Sequence, residues 1–194
     1  MTRYGPATAL IVVDVQNDFA HPDGSLYVHE GEAVVPIANA EAAAAALAGS
    51  LIVYTQDWHP ASTPHFEKDG GLWPVHCVQD SWGAMFHPEL QVTGEIVRKG
   101  SGGEDGYSAF SVRDPRSGAE APTMLQGLLE ARGIRKIVIC GLATDFCVVE
   151  TATDARELGY AVVVLRDAIR AVDRKAGAGD RALRRMLDAG ADLV

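Results

Sequence analysis

Four short apolar runs, each stopping at a residue able to do chemistry, constrain this chain more than anything else in it. Leu10-Ile11-Val12-Val13 ends at Asp14, and Leu51-Ile52-Val53-Tyr54-Thr55-Gln56 ends at Asp57. Glu95-Ile96-Val97-Arg98 leads into Lys99, and Lys136-Ile137-Val138-Ile139-Cys140 runs into Gly141-Leu142-Ala143-Thr144-Asp145-Phe146-Cys147. Short β-branched runs with little polar alternation read as strands buried on both faces, which is how parallel sheets covered by helices look in sequence. Helical patterns with recognisable ends alternate with them. They run from Glu32 to Leu47 with Gly49 as stop, from Pro122 to Arg132 closed by Gly133, from Asp145 to Leu158 closed by Gly159, and from Lys175 to Ala189 closed by Gly190. Further strands are expected at Ala161 to Leu165 and Asp192 to Val194. The alternation predicts an α/β fold, a three-layer α/β/α sandwich with a mainly parallel sheet.

A chain of 194 residues with 47% hydrophobic content fills one core, and no repeat or linker divides it, so a single domain over residues 1–194 is expected. No apolar stretch approaches the ~20 residues needed to cross a bilayer, and the N-terminus lacks a signal-peptide core. The expectation is a cytoplasmic protein with no membrane partner. Three cysteines without a C-x-x-C pair build no disulfide framework, so an important thiol acts singly. A formal charge of −9 argues against a nucleic-acid partner. The one basic cluster, Arg181, Arg184 and Arg185, reads as a solvated helix face.

Ligands of open parallel sheets bind beyond the carboxyl ends of the strands, the edge that Asp14, Asp57, Lys99 and Cys147 would share. With Thr144 as N-cap, Cys147 falls in the first helical turn, where the dipole and a nearby lysine favour thiolate. Cys147 is therefore the candidate nucleophile, whereas Cys140, inside a strand, and Cys77 read as structural. A cysteine amidase also needs a proton carrier and donors for the oxyanion. Asp14 is the candidate carrier for both the thiol and the leaving nitrogen, and Lys99 the group that holds it and stabilises the thiolate. The backbone N–H groups of Ala143 and Cys147 are candidates for the oxyanion hole.

Asp57 and His59 are two apart, so in extended chain they point to one side, and Pro60 biases His59 toward that state. His76 is a candidate third metal ligand, and His65 a fourth ligand or a pocket residue. The competing reading is of loop histidines hydrogen-bonded to backbone. A mixed carboxylate and imidazole set suits one divalent ion, with zinc or iron expected and manganese compatible. Two long irregular segments, Trp58 to Leu90 and Gly100 to Ala121, carry aromatic residues. The glycines after Lys99 are expected to fold the second one back so that Tyr107 and Phe110 reach the pocket. No G-x-S-x-G, H-E-x-x-H, phosphate-binding or dinucleotide-binding motif is present.

Six ordered segments resemble the nicotinamidases of the isochorismatase-like cysteine hydrolase superfamily: Val12 to Phe19, Asp57-Trp58-His59-Pro60, Trp73 to Cys77, Arg98-Lys99-Gly100, Asp105 to Phe110, and Gly141 to Val148. The resemblance implies an isochorismatase-like fold, a catalytic set of Asp14, Lys99 and Cys147, and a metal bound by Asp57, His59 and His76, with His65 matching a further ligand of some members. It implies a cis peptide between Leu142 and Ala143. It also implies that Phe19, Trp73 and Tyr107 enclose a pyridine ring whose nitrogen faces the metal and whose carboxamide faces Cys147. The activity it implies is metal-dependent conversion of nicotinamide to nicotinate and ammonia through a thioester, as in NAD salvage, with pyrazinamide as side substrate and with self-association into homo-oligomers. Residues Ala61 to Leu72 depart from the commoner nicotinamidase spacing, which leaves the role of His65 and the preferred small amide open. The rival readings are an amidase for a carbamoyl or maleamate-type compound, whose relatives keep the Asp-Lys-Cys set but generally lack the metal set, and a non-catalytic binding relative.

Overall fold

Each of the four apolar runs is a strand, and the strands lie side by side. In the computed structural model, which describes residues 3–194, they are β1 (Thr8–Val13), β2 (Leu51–Asp57), β3 (Glu95–Lys99) and, after the short antiparallel pair β4 (Ser111–Arg113) and β5 (Glu120–Pro122), β6 (Lys136–Leu142). Two more strands, β7 (Ala161–Arg170) and β8 (Asp192–Leu193), complete a sheet of order β3-β2-β1-β6-β7-β8 in which every neighbouring pair is parallel. The helices are α1 (Asn17–Ala20), α2 (Val34–Leu47), α3 (Leu125–Ala131), α4 (Val149–Glu157) and α5 (Ala178–Asp188). None among the described residues is long and apolar enough to cross a membrane.

Strand parity divides the core. Ala9, Ile11 and Val13 of β1 face α3, α4 and α5, packing with Leu125, Leu129, Ala152 and Met186. Leu10 and Val12 face the other way, onto α2. That helix presents Ala38, Ala42 and Ala45, whose small side chains at near-helical spacing let it lie close to the sheet. With each buried Ile, Leu or Val contributing about 1.5–3 kcal/mol, the two faces together hold a three-layer sandwich.

All four expected helices begin later than their patterns suggest, α2 at Val34 because a 3-10 turn over Gly31–Ala33 precedes it, and the other three each for a local reason. Pro122 ends the ribbon with β4, and Thr123 Oγ1 accepts the Leu125 N–H at 3.1 Å, so α3 starts there. Gly177 takes a left-handed φ of 74° immediately before α5. Thr144 does not cap the third: residues Thr144–Val148 form a π turn, entered from an extended Ala143, and α-helix begins at Val149. β7 also runs on past Leu165 to Arg170.

The strand order reverses between β1 and β6, so the loops that follow them diverge and open a crevice at their carboxyl ends. Close approach there depends on Gly141, which pairs with Val13 at φ 114° and in which a Cβ would strike the Val13 backbone. A Gly141→Ala chain is expected to lose about 3 kcal/mol in urea unfolding, from a forbidden φ and from overpacking. Gly127→Ala, in the open face of α3 where a Cβ meets nothing within 4 Å, should instead gain about 0.5–1 kcal/mol.

Candidate active site

Asp14 leaves β1 in the left-handed region, φ 47°, which turns its carboxylate back under the crevice. That conformation costs an L-residue on the order of 1 kcal/mol and is best tolerated by Asp and Asn. Three hydrogen bonds hold it: Thr55 donates to Oδ1 at 2.6 Å, Lys99 Nζ to Oδ2 at 2.7 Å, and the Asp14 N–H reaches Thr55 Oγ1 at 3.1 Å. Lys99 arrives by register, since it is the Cα partner of Asp57 across β2 and β3. Its ammonium, on a side chain only 1% exposed, also donates to the Gly106 carbonyl and stands 3.1 Å from Asp57 Oδ1 as an ion pair without hydrogen-bond geometry.

The charges of this group are set by its burial. Burial works against the Lys99 cation, but Asp14 and Asp57 outweigh it and hold the ammonium well above the ordinary lysine value. Burial raises the Asp14 carboxyl; Lys99 pulls it down, the Asp57 charge pushes it up again, and the net direction is up. For Asp57 burial is outweighed by Lys99, His59 and His76, which hold it well below the usual carboxylate range.

Cys147 Sγ and carboxylate oxygens of Asp14 and Asp57 all lie within 4.8 Å of one another. Burial, with the two carboxylates behind it, pushes the Cys147 thiol well above its ordinary value, and Lys99 opposes this without reversing it. The net direction favours the neutral thiol over the thiolate. Two features oppose the expected pull of a helix dipole and a lysine toward thiolate: the turn around Cys147 is a π turn, and the lysine charge is shared between two carboxylates. The peptide between Leu142 and Ala143 is cis, as the resemblance implies.

The histidines gather on the other side of Asp57. A short bridge pairs His59 with Val78, His59 N–H donating to Cys77 O at 2.9 Å, and this brings His76 alongside. Ligand atoms of His59, His65 and His76 lie within 4.8 Å of one another, and Asp57 Oδ2 is 3.8 Å from His59 Nε2 and 4.0 Å from His76 Nε2. Ligand atoms around a tetrahedral zinc stand about 3.4 Å apart, so the cluster is slightly expanded from a closed coordination shell. Both ring nitrogens of His59 are buried without a hydrogen-bond partner, and a cation bound at Nε2, the nitrogen 3.8 Å from Asp57 Oδ2, would relieve about 1–3 kcal/mol of that cost. His76 Nδ1 is turned to Pro74 O at 2.8 Å and His65 Nδ1 to Asp105 Oδ1 at 2.5 Å, which leaves each Nε2 for the cluster. Burial lowers His76 to about 4 and also lowers His65, keeping both rings in the neutral form that binds metals. The four residues therefore fit a divalent cation.

The chamber between these groups is walled by Phe19, Trp73 and Tyr107, the three expected there, and by Leu26, Phe146 and Val172, which were not. Ala143, Cys147, Asp57, His65 and His76 also border it, while Asp14, Lys99 and His59 sit behind the wall. Trp73 Nε1 donates to Tyr107 Oη at 2.7 Å, closing the roof, and the Phe146 ring meets Trp73 edge-on at 4.8 Å. Phe110 does not reach the chamber: it is buried in the core against Tyr160, the ring centroids 6.0 Å apart. Two supporting carboxylates also escaped the sequence reading. Asp105 orients His65, and Asp18 accepts the Cys77 N–H at 2.7 Å and the Ser25 N–H at 3.0 Å, tying the His76 segment to α1. Asp105 carries no local signal beyond its loop. Phe146 adjoins Cys147, and Val172 would follow from the strand-end rule once β7 is read to Arg170.

Comparison with known proteins agrees with this geometry. The Isochorismatase domain matches residues 8–194. The nicotinamidase of Escherichia coli K12 is 36% identical, over 97% of this chain and 94% of its own length. The crystal structure of the Pyrococcus horikoshii pyrazinamidase in complex with zinc superposes with a TM-score of 0.86 at 38% identity, covering 97% of this chain and 99% of that one. PnC1 from L. infantum, in complex with nicotinate, gives 0.89 at 39% identity, covering 100% and 95%.

If Asp105 fixes the His65 ring, Asp105→Ala should weaken binding of zinc by about 10–100-fold. Competition with a chromophoric chelator measures this, and an unchanged affinity would show that His65 needs no such support.

Proposed function

The chain belongs to the isochorismatase domain family, and on that footing we propose that it is a metal-dependent nicotinamidase, converting nicotinamide to nicotinate and ammonia, with pyrazinamide as a side substrate. The proposal takes residues 1–194 as one domain acting in the cytoplasm on a small-molecule amide. What supports it most is a single observation: Cys147 and the candidate metal ligands Asp57, His65 and His76 border one chamber, with Asp14, Lys99 and His59 behind its wall, and Asp57 touches both Lys99 and the histidines.

In this reading the Asp14 carboxylate takes the Cys147 thiol proton as Sγ attacks the carboxamide carbon. Burial favours a neutral Cys147 and Asp14 alike, so the proton moves between two groups that both hold it well. The carbonyl oxygen, now anionic, accepts from the backbone N–H groups of Ala143 and Cys147. Asp14 returns the proton to nitrogen, the C–N bond breaks, ammonia leaves and a thioester remains. Water then attacks the thioester, giving a proton to Asp14, and as the C–S bond breaks Asp14 passes that proton to Sγ, which releases the acid and restores the thiol. Lys99 stays protonated throughout, keeping Asp14 in place while its charge changes. Phe19, Trp73 and Tyr107 hold the aromatic ring. Asp57, His59, His65 and His76 would hold zinc or iron, which when bound supplies an electron-pair acceptor for the ring nitrogen.

Ammonia release from nicotinamide tests the proposal. Activity should disappear on chelation and return with zinc or iron, and Cys147→Ala should lower kcat on the order of 10³-fold or more while leaving metal binding intact. A preparation inactive on nicotinamide with metal bound would sink it.

A further inference from the structure

Against the reaction chamber lies a second, larger cavity of about 570 Å³. The two share Trp73, Tyr107 and Phe146, so the chamber's aromatic wall is also the inner wall of this outer space. Its other side carries three cations, Arg174, Lys175 and Arg181, in a chain whose formal charge is −9.

The arginines are held at the rim by neutral partners. The Arg174 guanidinium lies over the Trp73 ring, 5.0 Å from its centroid, and donates to Leu72 O at 3.3 Å. Arg181 donates to Ala176 O at 3.0 Å and Lys175 O at 3.5 Å. Neither pairs with a carboxylate among the described residues, and the Lys175 ammonium has no partner there. The cavity's one acid, Asp145, is engaged elsewhere, its two oxygens accepting the Val172 and Asp173 N–H groups at 2.9 Å each. Three cations outnumber the one carboxylate beside them, which bonds to backbone and to none of the three, and an anion seated among them offsets the excess positive charge. The aromatic wall adds a flat apolar surface for whatever carries the charge.

We propose that this outer cavity is an anion-binding subsite, distinct from the reaction chamber, that takes the carboxylate or phosphate of a small molecule whose ring or chain lies on Trp73, Tyr107 and Phe146. Two sources share that chemistry: the acid released from an amide in the chamber, and a phosphorylated metabolite from outside. In either case occupancy presses on side chains that also wall the chamber.

Isothermal titration of the full chain carrying Cys147→Ala, which does not turn nicotinamide over, with inorganic phosphate, with nicotinate and with nicotinamide tests this. Both anions should bind this chain and bind it about tenfold more weakly once Lys175→Gln/Arg181→Gln is added, as loss of charge-assisted contacts implies. Nicotinamide, which is neutral, should bind both chains equally. Lys175→Gln alone removes no internal contact and should weaken the anions in the same direction. A larger loss of nicotinate than of phosphate affinity on removing the two cations assigns the subsite to the reaction's own acid, and the reverse order to a phosphorylated ligand. A phosphate affinity that survives both substitutions, no phosphate binding before them, or a parallel loss of nicotinamide would each overturn the proposal. The readout is binding, so a chain that fails to hydrolyse nicotinamide yet passes this test refutes only the amidase reading.

Discussion

A single buried ammonium, that of Lys99 between Asp14 and Asp57, is the interaction on which the rest depends. Two carboxylates this close, both sealed from water, would repel strongly without a cation between them, and removing one partner from a buried ion pair typically costs about 3–5 kcal/mol. The sheet supplies the cation geometrically. β3 is parallel to β2 in a register that sets Lys99 opposite Asp57, and the loop beyond folds back to offer the Gly106 carbonyl. Gly106 itself leaves room for this, because a Cβ there would stand 2.8 Å from the Lys99 Cβ.

Asp57 joins two halves of the site with its two oxygens. Oδ1 faces Lys99 and so the proton-carrying side; Oδ2 faces His59 and His76. The same carboxylate that steadies the lysine therefore helps make the imidazole cluster a cation site. Gln16 fixes the backbone of this residue from both directions, its side-chain amide donating to Asp57 O at 2.7 Å and accepting the Asp57 N–H at 2.8 Å. Movement on one side of Asp57 must be felt on the other.

Much of this was legible in the sequence because it rests on strands buried on both faces. β2 and β3 begin and end where their apolar runs do, and the residues at their ends converge because a parallel sheet has one carboxyl edge. The turn around Cys147 was misread because threonine before a helical pattern looks like a cap, whereas Ala143, buried and extended, enters a π turn instead. Val172 was missed because Arg166 and Asp167 interrupt the apolar pattern of β7, although both are merely exposed residues on a strand that continues. The glycines after Lys99 do fold the loop back, but Ala109 and Phe110 turn into the core while Tyr107 faces the chamber. Asp105 and Asp18 act through loop contacts that no periodicity records.

The chamber's floor and roof have different origins. The floor is made of strand ends locked by register and by buried charge, where even a methyl group on Gly141 has no room. The roof is Trp73 from one long loop bonded to Tyr107 from another, with Phe146 against it. Mutational drift therefore acts unevenly on the two. Lineages descending from such a chain can change which amide they admit by exchanging roof residues, while the bond-breaking apparatus below is inherited intact.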